Sequence, residues 1–203
     1  MSRTWGIAAI AAVAFVTGCG AVVEGQPVAQ EQAPTSAATP RSSPVRTTSA
    51  SSRPTGPVTT ITAACPLLSN DDLTDLLNNG KDANLTPKEI AEQPDADGGK
   101  IYRCDYLRNN VAALALVARE FASNGLTAAE SIDAVGKASN SQPTPVTGAG
   151  EAAVFYSTSD GSAVVLAAAK TSGKNLRLAV LSGPKALPKD KLTAVAAAVM
   201  QRL

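Results

Sequence analysis

The chain has 203 residues, with 18 Lys+Arg against 17 Asp+Glu, three cysteines and no histidine. A near-neutral charge leaves no basic stripe to neutralise phosphates, and the few aromatics offer no stacking platform, so nucleic acid is not an expected partner. Without histidine the usual serine and cysteine triads are impossible, and a closed four-ligand zinc site loses its main nitrogen ligand.

The amino terminus carries Arg3, an apolar run over residues 5–16, and then Val16-Thr17-Gly18-Cys19. A basic n-region before a short apolar segment is a secretion signal, too short to span a bilayer that needs ~20 apolar residues. Small residues at 17 and 18 fit a peptidase cleft, and the cysteine behind them supplies a thiol to acylate, so the segment resembles a bacterial lipobox. An ordinary signal peptide with a chance cysteine is the weaker reading, because ordinary cleavage favours an A-x-A-like pattern. The expectation is therefore a lipoprotein signal peptide at 1–18 and fatty acyl chains such as palmitate on Cys19. Two or more chains anchor stably where one does so only marginally, which places the mature protein on the outer face of the cell membrane.

Residues 27–60 hold 13 Ser+Thr and 6 Pro among 34 positions and little apolar larger than Val, so they cannot bury enough surface to offset their ordering entropy. Residues 19–60 are read as a disordered tether. The composition suits an O-glycosylated stalk and an unmodified spacer equally.

Residues 61–203 suit one globular domain. With Cys19 committed to lipid, Cys65 and Cys104 form an even pair in an oxidising compartment, and a disulfide is expected ahead of a two-thiol metal site or two free buried thiols. Ser69-Asn70-Asp71-Asp72 before Leu73, Leu76 and Leu77 predicts a capped helix closed by Gly80, with its early acids facing solvent and complementing the dipole. Thr86-Pro87-Lys88-Glu89 has the form of a capping box with proline at the first helical position, which predicts a second short helix before Pro94.

Tyr102, Cys104 and Tyr106 alternate with Arg103 and Asp105 in a strand of period two. Arg108-Asn109-Asn110 turns the chain into a further strand over 111–121. Thr127-Ala128-Ala129-Glu130 is a capping box opening a helix to about Ala138. Apolar segments at 152–156, 163–169 and 176–181, separated by Asp160-Gly161 and Ser172-Gly173, read as an antiparallel meander. Pro188 opens a last helix with Leu192, Val195, Ala196, Val199 and Leu203 on one face. The whole predicts an α+β domain with an antiparallel sheet of about five strands covered by helices and one disulfide joining two elements.

Catalytic and ligand motifs are weak. Asp95-Ala96-Asp97-Gly98-Gly99 resembles a calcium loop but has Tyr106 where a closing acid is needed, so a polar turn is the better reading. Ser182-Gly183-Pro184-Lys185 matches S-x-x-K, and Lys170-Thr171-Ser172 resembles K-T-G, but their order is reversed and no S-D-N element separates them. Gly148-Ala149-Gly150 lacks the third glycine of a dinucleotide fingerprint, and no P-loop occurs.

Several features together resemble one family. They are the Val16–Cys19 lipobox, the Ser/Thr/Pro tether, Cys65-Pro66-Leu67-Leu68-Ser69 entering a Leu-Leu helix, Cys104-Asp105-Tyr106 in a strand, and Pro145-Val146-Thr147-Gly148-Ala149-Gly150-Glu151-Ala152-Ala153 before the last strands. In this order they are similar to small actinobacterial, especially mycobacterial, lipoproteins whose exported part is a two-cysteine domain of unknown function. Many of those proteins have tryptophan where this chain has Tyr106. The resemblance implies location and fold type and no reaction. The expected function is a non-catalytic binding module of the cell envelope, engaging a protein, glycan or lipid, with no cofactor or metal. The alternatives are a carrier holding an apolar ligand in an internal cavity and, behind it, a hydrolase using paired carboxylates.

Overall fold

A computed structural model describes residues 56–203 except 79, 82, 97 and 98. A 3₁₀ turn, Cys65–Leu67, leads into helix α1, Asn70–Asn78. Ser69 and Asp72 cap that helix reciprocally: the Asp72 amide donates to Ser69 Oγ at 3.2 Å and the Ser69 amide to Asp72 Oδ2 at 2.9 Å. Gly80, at φ +82°, then donates back to the Thr74 carbonyl, so α1 ends where the glycine predicts.

The next element departs from expectation. Thr86–Pro94 is a strand, β1, and not a helix. A lone capping box cannot nucleate a helix that has no apolar stripe to pack, and Ile90 is the only large apolar residue between Pro87 and Pro94. Glu89, the supposed cap residue, instead satisfies amides of the 3₁₀ turn. Strands β2 (Lys100–Arg108) and β3 (Val111–Ala122) follow, joined by Asn109 and Asn110, both at positive φ as the tight turn between right-twisted strands requires. Helix α2, Ala128–Ala138, has the full Thr127–Glu130 capping box. Strands β4 (Thr144–Val146), β5 (Ala152–Ser157), β6 (Ala163–Ser172) and β7 (Asn175–Pro184) lead to helix α3, Lys189–Arg202, which Pro188 introduces.

All seven strands form one antiparallel sheet in the order β1-β2-β3-β7-β6-β5-β4. The α+β class and the disulfide stand, while the sheet has seven strands where about five were expected. The two additional strands, β1 and β4, are the edges. Each carries proline and buries little, which blunts the edge against further pairing and removes the alternation that marks a strand in sequence.

Helices cover the two faces unequally. On the front face α1, the 3₁₀ turn and α3 enclose the main core, which includes Leu67, Leu73, Tyr106, Leu116, Leu181 and Val195. On the back face α2 packs over β5 and β6, where Ala128 and Ile132 meet Val154, Ala167, Ala169 and Leu178. Small side chains in β6 let helices approach both of its faces. Among the described residues, no helix is long and apolar enough to cross a membrane.

The Gly148–Glu151 turn has a packing role. Ala149 is buried in the main core, and a Cβ on Gly150, whose φ is +71°, would lie 2.6 Å from the Ala169 carbonyl oxygen. Glu151 then fixes the turn by accepting from the amide and hydroxyl of Thr171 at 3.1 and 2.9 Å. Gly150→Ala is expected to destabilise the domain by about 2–4 kcal/mol through left-handed strain and overpacking. Gly148→Ala, with open space around it, should cost about 1–2 kcal/mol from strain alone. Urea unfolding of the two variants checks the difference.

Candidate functional site

Cys65 and Cys104 are joined as expected, linking the 3₁₀ turn to β2 with Cα atoms 4.9 Å apart. Glu89 stands directly opposite Cys104 in the β1–β2 ladder. Its carboxylate accepts the Ala64 amide at 2.8 Å and the Cys65 amide at 2.7 Å. One Glu89 oxygen and the two sulfurs lie within 4.8 Å of one another, a grouping with metal-ligand chemistry that sequence spacing did not reveal. In the oxidised chain the sulfurs are bonded to each other. The other expected site residue, Cys19, lies outside the described residues, as do the signal peptide and residues 19–55 of the tether.

Beneath the disulfide runs a buried polar network. Asp72, expected as a solvent-facing acid, is 1% exposed and is held by Arg202 in a two-pronged pair at 2.7 and 2.8 Å. The correction follows from α1's orientation, which turns Asp72 inward toward the end of α3. Arg202 also donates to the Leu67 carbonyl at 2.8 Å, and the Tyr106 hydroxyl donates to that of Leu68 at 2.7 Å. Burial alone would raise the Asp72 carboxyl, but hydrogen bonds from Arg202 and Ser69 outweigh it and hold the group well below the usual carboxylate range. Burial pushes the Tyr106 phenol far upward, so it remains a neutral donor.

A second buried cation sits across the front of the sheet. Arg177 of β7 is 4% exposed and pairs with Glu120, its direct neighbour on β3, at 2.9 Å. The same guanidinium donates to the Val58 and Thr59 carbonyls, each at 2.7 Å, and to the main-chain oxygen of Leu203. Val58 and Thr59, which composition assigns to the end of the tether, are thus held against the domain. A single Arg inside the apolar Leu176–Leu181 segment was the sequence signal for this buried partner set.

Among the described residues, no helix packs over the back face of β1, β2 and β3. Ladder registry puts Ile90, Ile101, Arg103, Asp105, Leu107 and Val117 on that face, all half-buried. Arg103 and Asp105 pair there at 2.8 Å. Arg119 lies 4.7 Å from the Phe121 ring centre and also pairs with Asp95, the first acid of the supposed calcium loop. Two open hollows lie elsewhere: one of about 360 Å³ beside Tyr102, Glu120 and Asn175, and one of about 680 Å³ between the Pro145–Gly148 loop and the outer side of α3. The S-x-x-K and K-T-G lookalikes stay apart, because Ser182 pairs with Val165 and Lys170 with Arg177. That is about 17 Å along the ladder.

No family model, no curated protein and no solved structure matches this chain.

Two outcomes test the buried groups. In the unfolded chain Asp72 titrates at about 3.9, and in the fold it lies lower. Its contribution to stability is therefore complete above about pH 4 and is lost as pH falls through that value toward the folded-state one. Asp72→Asn should cost about 3–5 kcal/mol at neutral pH by stranding the Arg202 charge, and should flatten the loss of stability on acidification. Denaturant titrations at a series of pH values read both effects. Replacing both Cys65 and Cys104 by Ser, which opens a link across a 39-residue separation, should cost about 4 kcal/mol by the loop-entropy relation. The urea midpoint of the double variant measures it.

Proposed function

We propose that this chain is an exported lipoprotein, acylated on Cys19, whose folded domain acts outside the membrane as a non-catalytic interaction module. The partner surface in this reading is the uncovered back face of β1–β3, and the partner is an envelope protein. The observation that carries it is the unequal helix cover. A sheet face with apolar side chains normally lies under another layer, yet among the described residues α2 packs over β5 and β6 while Ile90, Ile101, Leu107 and Val117 have no helix above them. An Arg–aromatic contact and an ion pair among these apolar residues are the chemistry of protein-binding hot spots.

Other groups support the reading by having structural employment. The Asp72 and Glu120 carboxylates are engaged by Arg202 and Arg177, and the Glu89 carboxylate by backbone amides. A carboxylate-based hydrolase would need such acids to converge on a substrate. The apolar-carrier alternative would need an enclosed cavity, whereas both hollows described above open to solvent and have polar as well as apolar linings.

The test uses the full chain expressed in an envelope-bearing host. A photo-crosslinking residue at Ile101 should capture a discrete protein that one at Lys137, on the exposed side of α2, does not. The double variant Ile90→Glu, Leu107→Glu should lose that capture by about tenfold or more while unfolding at the same urea concentration. Cys19→Ala should no longer incorporate labelled fatty acid and should leave the membrane fraction. Equal capture from both positions would sink the interaction surface, and labelling that persists in Cys19→Ala would sink the anchor.

A further inference from the structure

We infer that reduction of the Cys65–Cys104 disulfide unmasks a metal site, formed by the two thiolates and the Glu89 carboxylate, that takes a thiophilic divalent cation such as zinc. The three ligands come from three separate elements: the 3₁₀ turn, β1 and β2. The fold therefore brings them together, and proximity in sequence does not. Glu89 and Cys104 are a direct cross-strand pair, and the disulfide holds Cys65 beside both, so one ligand atom from each lies within 4.8 Å of the others.

Cys104 is fully buried, Cys65 is half-buried and Glu89 is exposed. A cation entering from the solvent side would meet the carboxylate first, then the Cys65 sulfur, and reach the Cys104 sulfur beneath. Two sulfurs and one oxygen leave the fourth tetrahedral position to water, the arrangement of an open zinc site. The ladder supplies the outer support. Glu89 is already oriented by the amides of Ala64 and Cys65, and one of its oxygens can turn to the metal while the other keeps an amide.

The chemistry balances with a reductant from outside the chain. A trialkylphosphine donates two electrons to the disulfide and takes its oxygen from water, becoming the phosphine oxide. The two water protons appear on the two thiols. Metal binding then displaces these thiol protons to solvent while the carboxylate binds already ionised. In the oxidised state neither sulfur is a thiolate, so the site is closed to metal. Metal binding is thereby gated by redox state, a property separate from the proposed interaction surface on the back face.

The test takes the full chain, reduces it with phosphine, removes the reductant under argon and titrates with Co²⁺. The expected result is a sulfur-to-cobalt charge-transfer absorption that saturates at one metal per chain, is abolished by Zn²⁺ and is absent from the oxidised protein. Glu89→Gln, which keeps an acceptor oxygen for one of the Ala64 and Cys65 amides, should weaken Co²⁺ binding by about tenfold or more, in the range set by loss of a supporting metal contact. Circular dichroism before and after metal addition reports whether the fold is retained. Absence of the absorption in the reduced protein, folded or unfolded, overturns the proposal. So does Co²⁺ affinity unchanged in Glu89→Gln, since two thiols on a loosened chain would behave in that way without the site.

Discussion

The pairing of β3 with β7 is the interaction on which the rest of this domain depends. Without it the chain would be two independent meanders, β1–β3 and β4–β7, neither with a closed core. Antiparallel registry along the full seam joins them, and it sets Glu120 of one meander against Arg177 of the other. That ion pair is more than a cross-strand contact, because the same guanidinium takes the main-chain oxygens of Val58, Thr59 and Leu203. The seam thus fixes both the entry of the chain into the domain and the end of α3.

Once α3 is placed, the buried Asp72–Arg202 pair follows from it. The last turn of α3 lies against the first turn of α1, and each satisfies charges that the other could not bury alone. Arg202 reaches past Asp72 to the Leu67 carbonyl in the 3₁₀ turn, where the disulfide begins. A chain of polar groups therefore runs from β7 through α3 and α1 to the Cys65–Cys104 link. Its members are buried, so removing one strands its partner in a medium that solvates charge poorly. Such networks favour a single arrangement of the helices on the front of the sheet over alternatives of similar apolar burial.

The back face is built on the opposite logic. Among the described residues, one helix covers β5 and β6 closely, aided by Ala167 and Ala169, and none covers the back of β1–β3. Ion pairs and an Arg–Phe contact on that half set charges among its apolar side chains. The disulfide and Glu89 lie on the front. The two features proposed to carry function, a surface for a partner and a masked thiolate pair, therefore occupy different faces and can be tested separately.

Much of this architecture was legible before folding. Strands β2, β5 and β7, helices α1, α2 and α3, and the Cys65–Cys104 link could be read because each signal is local: alternation with one buried face, a capping residue, a helical stripe, an even cysteine pair. The Thr86 capping box misled because a cap reports only that an amide needs an acceptor. Glu89 answers that need for another segment, and whether an edge segment is helix or strand was decided by the ladder with β2. The exposed edges β1 and β4 had no alternation to read. The inward turn of Asp72, the role of Arg177 and the grouping of Glu89 with the two cysteines are likewise tertiary facts, since each joins residues far apart in the chain. Local physics in the sequence determined most of the elements; long-range pairing decided that Thr86–Pro94 is a strand, which charges are buried, which sheet face lies without a helix among the described residues and which side chains meet.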